Sequence, residues 1–247
     1  MHKRLILVRH GQSEWNKLNL FTGWTDIDLS DQGKNEAIEA AKSITEYELH
    51  PEICFTSYLK RAVKTLNIIL DKMNLDYLPV YKTWRLNEKH YGALQGLNKK
   101  ETAEKYGEEK VFQWRRAYDC RPPALDKEDK RSPFQDARYN DVDPKDLPLT
   151  ESLKDCVNRS LPYFYNNIMP AFKDYNTILV TAHGNSLRGI VKTLRHMDDA
   201  MINQLNIPTG IPYVFSFDED LHLLHDTFLA DPETVRKLME QVANQAK

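Results

Sequence analysis

The chain has 247 residues, 41% of them hydrophobic and 28% charged, with a formal net charge of −2. That size suits one large α/β domain or two small ones, and the near-neutral balance argues against a general binder of nucleic acid or anionic membranes. Three widely spaced cysteines, Cys54, Cys120 and Cys156, form neither a disulfide framework nor a CxxC metal clip, so a reducing cytoplasm is the expected setting. The opening apolar run stops at Arg9 after four residues, so no secretory leader is expected, and no stretch approaches the ~18 apolar residues of a membrane span.

In chain order, LILV (5–8) reads as a short buried strand that runs into Arg9, His10 and Gly11. A helix is predicted over LSDQGKNEAIEAAKSITEYEL, capped by Ser30, with Ala37, Ile38, Ala41 and Ile44 inward. ICFT (53–56) reads as a strand. Leu59, Ala62, Val63, Leu66, Ile69, Leu70 and Met73 then repeat at three and four, which predicts a strong amphipathic helix. LPVYK (78–82) is a third strand, and helical turns are predicted around 99–106 and 109–117.

Residues 121–150 carry five prolines (Pro122, Pro123, Pro133, Pro144, Pro148), many charges and no period, and read as a long irregular excursion. Helical spacing returns from Leu153 through Phe172, with Pro162 expected to bend the helix. TILVTA (177–182) is another buried strand, ending on His183, Gly184 and Asn185, and a helix with Leu187, Ile190, Val191 and Leu194 inward follows. YVFSF and LHLLHDTFL suggest two late strands, and 232–243 a terminal helix. Strands alternating with helices favour a largely parallel sheet covered on both faces.

The informative feature is repetition: two buried strands each end on a histidine followed by a glycine. Open α/β sheets place ligand sites at the carboxyl ends of their strands, so neighbouring strands would bring His10 and His183 together there. The glycines suit a positive φ or a close ligand approach. Metal is disfavoured, since Arg9 beside His10 repels a cation and a metal site wants three or four ligands. Arginines favour an anion: Arg9, Arg61 near the start of its helix, and the pair Arg115 and Arg116, although such a pair more often lies on a solvated helix face. Ser13, Asn16 and Asn185 can add hydrogen bonds or serve only as caps. Flanking arginines favour a neutral, nucleophilic imidazole at His10, and a covalent phosphohistidine would split one transfer into two. Glu88, in RLNEKHYG, is the candidate proton carrier, though its position alone suits an ordinary surface glutamate.

RHGQSEWN, FTGWTD, TWRLNEKHYGALQGLNKKETAEKYGEE, WRRAY, LPLTESL, AHGNSLRGIVK and LNIPTGIPYVF together cover most of the chain, and with them it resembles the cofactor-dependent phosphoglycerate mutases of the histidine phosphatase superfamily. RHG alone marks the superfamily, whereas the HYGALQGLNK block and the WRR pair are far more specific. The resemblance implies a three-layer α/β/α sandwich around a mostly parallel sheet, spanning 1–247 as one domain. The excursion and a tail at about 231–247 would cover the site.

The same resemblance implies interconversion of 3-phosphoglycerate and 2-phosphoglycerate, primed by 2,3-bisphosphoglycerate and without a metal. His10 would be the nucleophile, Glu88 the acid/base and His183 the stabiliser of the transferring group. Arg9, Arg61, Ser13, Asn16, Gly184 and Asn185 would cradle phosphate, and Thr22, Gly23, Tyr91, Lys99, Arg115 and Arg116 would bind substrate. It also implies a homo-oligomer, dimer or tetramer, with no nucleic-acid or membrane partner.

Gln12 stands where the family usually has glutamate, SPFQDARYND departs from the usual version, and the terminal VANQAK lacks a glycine often found there. Ser13 suits a mutase better than the related bisphosphoglycerate synthase, where glycine is typical. The rival expectations are a broad-specificity histidine phosphatase and a catalytically silent phosphate-binding scaffold.

Overall fold

The computed structural model describes residues 2–244; the last three residues of the expected tail cover lie outside the described residues. Six strands form one sheet: β1 (Lys3–Arg9), β2 (Ile53–Thr56), β3 (Val80–Lys82), β4 (Thr177–Ala182), β5 (Tyr213–Phe217) and β6 (Leu223–Phe228), in the order β3-β2-β4-β1-β5-β6. The β3, β2, β4 and β1 strands run parallel, while β5 and β6 add to the far edge antiparallel. The sheet is therefore mixed at one edge, because periodicity reveals a buried strand but not its direction.

Side-chain alternation explains the unbroken apolar runs. Leu5 and Leu7 of β1 join one core with Ile178 and Val180, and Ile6 and Val8 join the other with Leu179 and Cys54. Helix α2 (Asp31–Glu46), following the short helix α1 (Glu14–Lys17), and helix α3 (Lys60–Met73) cover the second face. Helices α4 (Lys99–Tyr106) and α5 (Glu108–Arg116) match the predicted turns, and α6 (Leu153–Tyr163) and α7 (Gly184–Leu194) pack together on the first side of the sheet. Two further helices follow, α8 (Asp199–Gln204) and α9 (Pro232–Ala243). Burial on both faces is what a three-layer arrangement requires.

Several local expectations need correction. Ile38 is 37% exposed; Ala37, Ala40, Ala41 and Ile44 form the buried stripe, narrow because α2 rests on α3. Beyond α6 the chain widens into a π turn at Phe164–Ile168 and tightens into a 3₁₀ turn at Met169–Lys173, where Pro162 and Pro170 withhold N–H donors. The excursion contains three 3₁₀ turns and is anchored: Tyr139 is buried against Trp24 and Trp84, and its hydroxyl accepts from Asn87 Nδ2 at 2.9 Å. The unusual SPFQDARYND stretch therefore packs beside the loop that carries Glu88.

Neither strand-end glycine has a positive φ. Gly11 is required instead by backbone packing, since a Cβ there would lie 2.1 Å from the carbonyl oxygen of Gly33 at the start of α2. Gln12 belongs to the same junction. Its Oε1 accepts from the Ser30 hydroxyl at 2.8 Å and its N–H donates to Glu36 at 2.8 Å, so the neutral substitution sits at the cap of α2 and not in the cavity described next.

Candidate active site

The parallel register pairs Arg9 with Ala182, so the next residues, His10 and His183, leave adjacent strands together. His10 N–H donates to the Ala182 carbonyl at 3.0 Å, and the two rings lie 5.0 Å apart, centroid to centroid. Both side chains are buried, at 2% and 0% exposure, which rules out ordinary surface histidines.

The hydrogen bonds fix the His10 tautomer. Nδ1 lies 2.7 Å from the Gly11 carbonyl, which can only accept, so Nδ1 carries the hydrogen. Nε2 keeps its lone pair and receives the Arg61 Nε–H at 3.3 Å. Burial, then Arg61, then Arg9 hold the imidazolium form of His10 well below its ordinary range; burial, more than the neighbouring arginines, is the leading cause. His183 is depressed likewise, first by burial, then by Arg61 and His10. Its Nε2 shares a 2.7 Å hydrogen bond with Ser57, and its Nδ1 has no partner among the described residues.

Above His10 opens a cavity lined by Arg9, Arg61, Arg115, Arg116, Lys99 and Arg188, with Glu88 as the one acidic wall residue among the described residues. Asn16, Thr22, Gly23, Tyr91, Gly184 and Asn185 complete the predicted set at its wall. Arg115 and Arg116 are 6% and 9% exposed and so are not a solvated face. Arg61 is clamped by the carbonyls of Thr25 and Gly23, and burial lowers it to about 10; Gly23 has a φ of +53°, and Gln95 leaves no room there for a Cβ. Arg116 falls to about 9 through burial and then Arg188 and Arg115, and Lys99 lies well below its usual range through burial and then Arg115. Cations crowded into a poorly solvated space destabilise one another, and a polyanion relieves them.

Glu88 is 9% exposed, and its Oε1 accepts from the N–H groups of Lys89 at 2.7 Å and Asn185 at 3.1 Å. Asn185 Nδ2 also donates to the Tyr91 hydroxyl at 3.2 Å. Two predicted residues lie elsewhere. Ser13 caps α1, its hydroxyl accepting from Asn16 N–H at 3.1 Å while Asn16 Oδ1 accepts from Ser13 N–H at 3.0 Å, so it positions Asn16 without lining the cavity. His183 sits beside the His10 ring and not at the cavity wall.

Sequence reasoning missed Arg188, Asn206, Ile207 and Val242 at the wall. Arg188 had a signal, lying one helical turn beyond Gly184 on α7. Ile207 had none, because it acts through its backbone carbonyl, which accepts from Arg9 Nη1 at 2.7 Å. Val242 comes from α9, whose last turn reaches the cavity where Arg116 Nη2 donates to the Val242 carbonyl at 3.2 Å.

Burial also sets a pH dependence of stability. His90 is buried and depressed to about 3, mainly by burial, and His10 and His183 are lowered in the same direction with burial again the leading cause. All three bind protons near pH 6.5 only when unfolded, so their contribution is full above that pH and is lost as pH falls. Lowering pH from 7 to 5 is expected to cost about 2 kcal/mol through His90, and His10 and His183 act in the same direction. Urea midpoints at the two pH values check this, with a smaller drop expected in His90→Gln; equal midpoints for the parent protein would contradict it.

Residues 5–132 match the model of the histidine phosphatase superfamily (branch 1). The chain is 59% identical over 245 residues to 2,3-bisphosphoglycerate-dependent phosphoglycerate mutase 2 of Bacteroides thetaiotaomicron, covering 99% of each. It is 60% identical to the 2,3-bisphosphoglycerate-dependent phosphoglycerate mutase of Porphyromonas gingivalis, again covering 99% of each. Among solved structures, a mycobacterial glucosyl-3-phosphoglycerate phosphatase complexed with VO3 superposes with a TM-score of 0.70 at 21% identity, over 93% of this chain and 100% of the other. A putative alpha-ribazole-5'-P phosphatase from Escherichia coli gives 0.65 at 18% identity, over 92% and 94%. The structural likenesses speak to the fold alone.

Proposed function

The chain belongs to the histidine phosphatase superfamily, and within it to the 2,3-bisphosphoglycerate-dependent phosphoglycerate mutases, and from that premise we propose a mechanism built on His10. The reaction is the interconversion of 3-phosphoglycerate and 2-phosphoglycerate, a step of glycolysis and gluconeogenesis. The observation that carries the mechanism is a neutral, buried imidazole with its Nε2 lone pair facing Arg61, beneath a cavity with a large excess of cationic groups.

The residues fit a doubly phosphorylated three-carbon acid. Among the described residues cations far outnumber the single wall carboxylate, and Arg9 Nε, Thr22 Oγ1 and His183 Nδ1 are buried without partners. Arg9, Arg61, Asn16, Gly184 and Asn185 would hold the transferring phosphoryl group. Lys99, Arg115 and Arg116, with Thr22, Gly23 and Tyr91, would hold the carboxylate and the distal phosphate. When bound, 2,3-bisphosphoglycerate supplies the phosphoryl group that primes His10; no metal is called for.

His10 Nδ1–H stays on the Gly11 carbonyl while Nε2 bonds phosphorus. Arg61 Nε–H, which holds Nε2 in the resting enzyme, passes to a phosphoryl oxygen, and His183 adds a hydrogen bond through its unpartnered nitrogen. Phospho-His10 gives its group to one hydroxyl of a monophosphoglycerate and regains a group from the other. Glu88 takes the proton of the attacking hydroxyl and returns it to the departing oxygen. With both Oε1 contacts on backbone N–H groups, Oε2 is the oxygen assigned to this exchange. The α9 tail, which brings Val242 to the cavity wall, would limit water, which would otherwise hydrolyse phospho-His10; a minor phosphatase activity follows from whatever water enters, and a minor synthase activity from bisphosphate that leaves after the first transfer.

We further propose one mutase-like domain over 1–247, in a cytoplasmic homo-oligomer, dimer or tetramer, on the strength of the family resemblance. Among the described residues no helix is long and apolar enough to cross a membrane. Phosphorus NMR of 3-phosphoglycerate turnover tests the function. The expected result is 2-phosphoglycerate formed only with catalytic 2,3-bisphosphoglycerate; phosphate release without isomerisation would instead identify a phosphatase.

A further inference from the structure

The segment carrying Glu88 is irregular backbone, with a 3₁₀ turn on each side (Trp84–Leu86 and Gly92–Leu94), and Glu88 itself lies in no helix or strand, although the Asn185 N–H of α7 reaches its Oε1. The backbone that carries the carboxylate must be held as well, since misplacement of a reacting group by about 1 Å can cost 10²-fold in rate. The Glu88 carbonyl accepts two short hydrogen bonds, from Trp24 Nε1 at 2.6 Å and from Arg159 Nη2 at 2.7 Å. Arg159 comes from α6, 71 residues further along the chain.

Arg159 is itself fixed. It forms a fork with Glu151, Nε to Oε1 at 2.6 Å and Nη2 to Oε2 at 2.9 Å, with side chains 9% and 4% exposed. Its Nη1 donates to the Arg85 carbonyl at 2.8 Å, and its guanidinium lies 5.3 Å over the Trp24 ring. Glu151 grips the other end of the segment, with Oε2 accepting from His90 N–H and Glu151 N–H donating to the His90 carbonyl, each at 2.8 Å. The backbone is thus held at Arg85, Glu88 and His90 by one buried ion pair and one indole. None of Trp24, Glu151 and Arg159 lines the cavity.

We propose that Arg159, Glu151 and Trp24 form a buried clamp that sets the position of the Glu88 carboxylate, so that they are positioning residues for proton transfer. This rests on Glu88 as the proton carrier. A bidentate, planar fork suits the task where lysine would not, because it fixes orientation as well as charge. The clamp fixes the Glu88 carbonyl, and the N–H of Lys89, next along the chain, fixes Oε1. A shift of the peptide therefore carries the carboxylate with it.

The test uses Trp24→Phe, which keeps an aromatic ring and removes the Nε1–H, and Arg159→Lys, each alone and combined with Glu88→Gln. Each single clamp variant is expected to lower kcat by about 10- to 50-fold with KM for 3-phosphoglycerate changed less than about threefold. In the Glu88→Gln background the same substitutions are expected to add less than about threefold, because their effect passes through a carboxylate no longer present. Trp24→Phe is the conservative arm should Arg159→Lys fold poorly. Full losses that persist in the Glu88→Gln background, or clamp variants with unchanged kcat beside an impaired Glu88→Gln, would overturn the clamp. An unimpaired Glu88→Gln would instead overturn the role of Glu88 itself.

Discussion

His10→Ala is expected to abolish mutase turnover, by at least about 10⁴-fold, while the protein remains folded. Among the described residues His10 is the one imidazole at the cavity wall, and the loss of a nucleophile cannot be offset by cations that only bind. Folding should survive because the backbone bond from residue 10 to Ala182 is retained and the core faces of β1 are carried by Leu5–Val8. The removed imidazole contacts the Arg61 guanidinium, and both Arg61 and Arg9 disfavour its charged form, so no salt bridge is broken. Circular dichroism and a coupled enolase assay read the two halves. A folded variant retaining more than about one hundredth of the parent rate would reject His10 as nucleophile.

Glu88→Gln should lower kcat by about 10²–10⁴-fold with a small change in KM. The amide oxygen of glutamine can still accept from the N–H groups of Lys89 and Asn185, so the local geometry is kept while the exchangeable proton is lost. Both directions of transfer should slow, because the same carboxylate serves as base toward the attacking hydroxyl and as acid toward the departing oxygen. Stopped-flow measurement of phosphoryl transfer from labelled His10 to 3-phosphoglycerate isolates the step. An unchanged transfer rate would reject the assignment.

The centre of the site was legible because it rests on local patterns. LILV is apolar at every residue and TILVTA at all but its two threonines, a pattern that suits strands buried on both faces, and adjacency of their ends puts His10 beside His183. Helices α4 and α5 fell at their predicted positions because helical spacing is a short-range signal. Burial of Arg115 and Arg116 was less legible, since spacing places them on a helix but does not say what covers them.

The rest depended on contacts remote in the chain. Arg159 is an ordinary-looking cation on α6 until the Glu88 carbonyl arrives beside it. Ile207 serves through a backbone carbonyl that any residue in that place would supply. Gly11 was assigned to chain reversal or ligand approach, whereas its lack of a side chain admits the Gly33 carbonyl of α2. The antiparallel β5 was hidden because strand direction depends on the path of the connection and not on side-chain period.

All of the proposed chemistry converges on phosphate bound to one nitrogen. Incubation with 2,3-bisphosphoglycerate, rapid quenching in base and tandem mass spectrometry under conditions that preserve phosphohistidine measure it directly. The expected outcome is an acid-labile phosphoryl group on the peptide bearing His10, discharged on adding 3-phosphoglycerate. An actively isomerising enzyme with that peptide unmodified throughout, or with the phosphate on another residue, would contradict the mechanism.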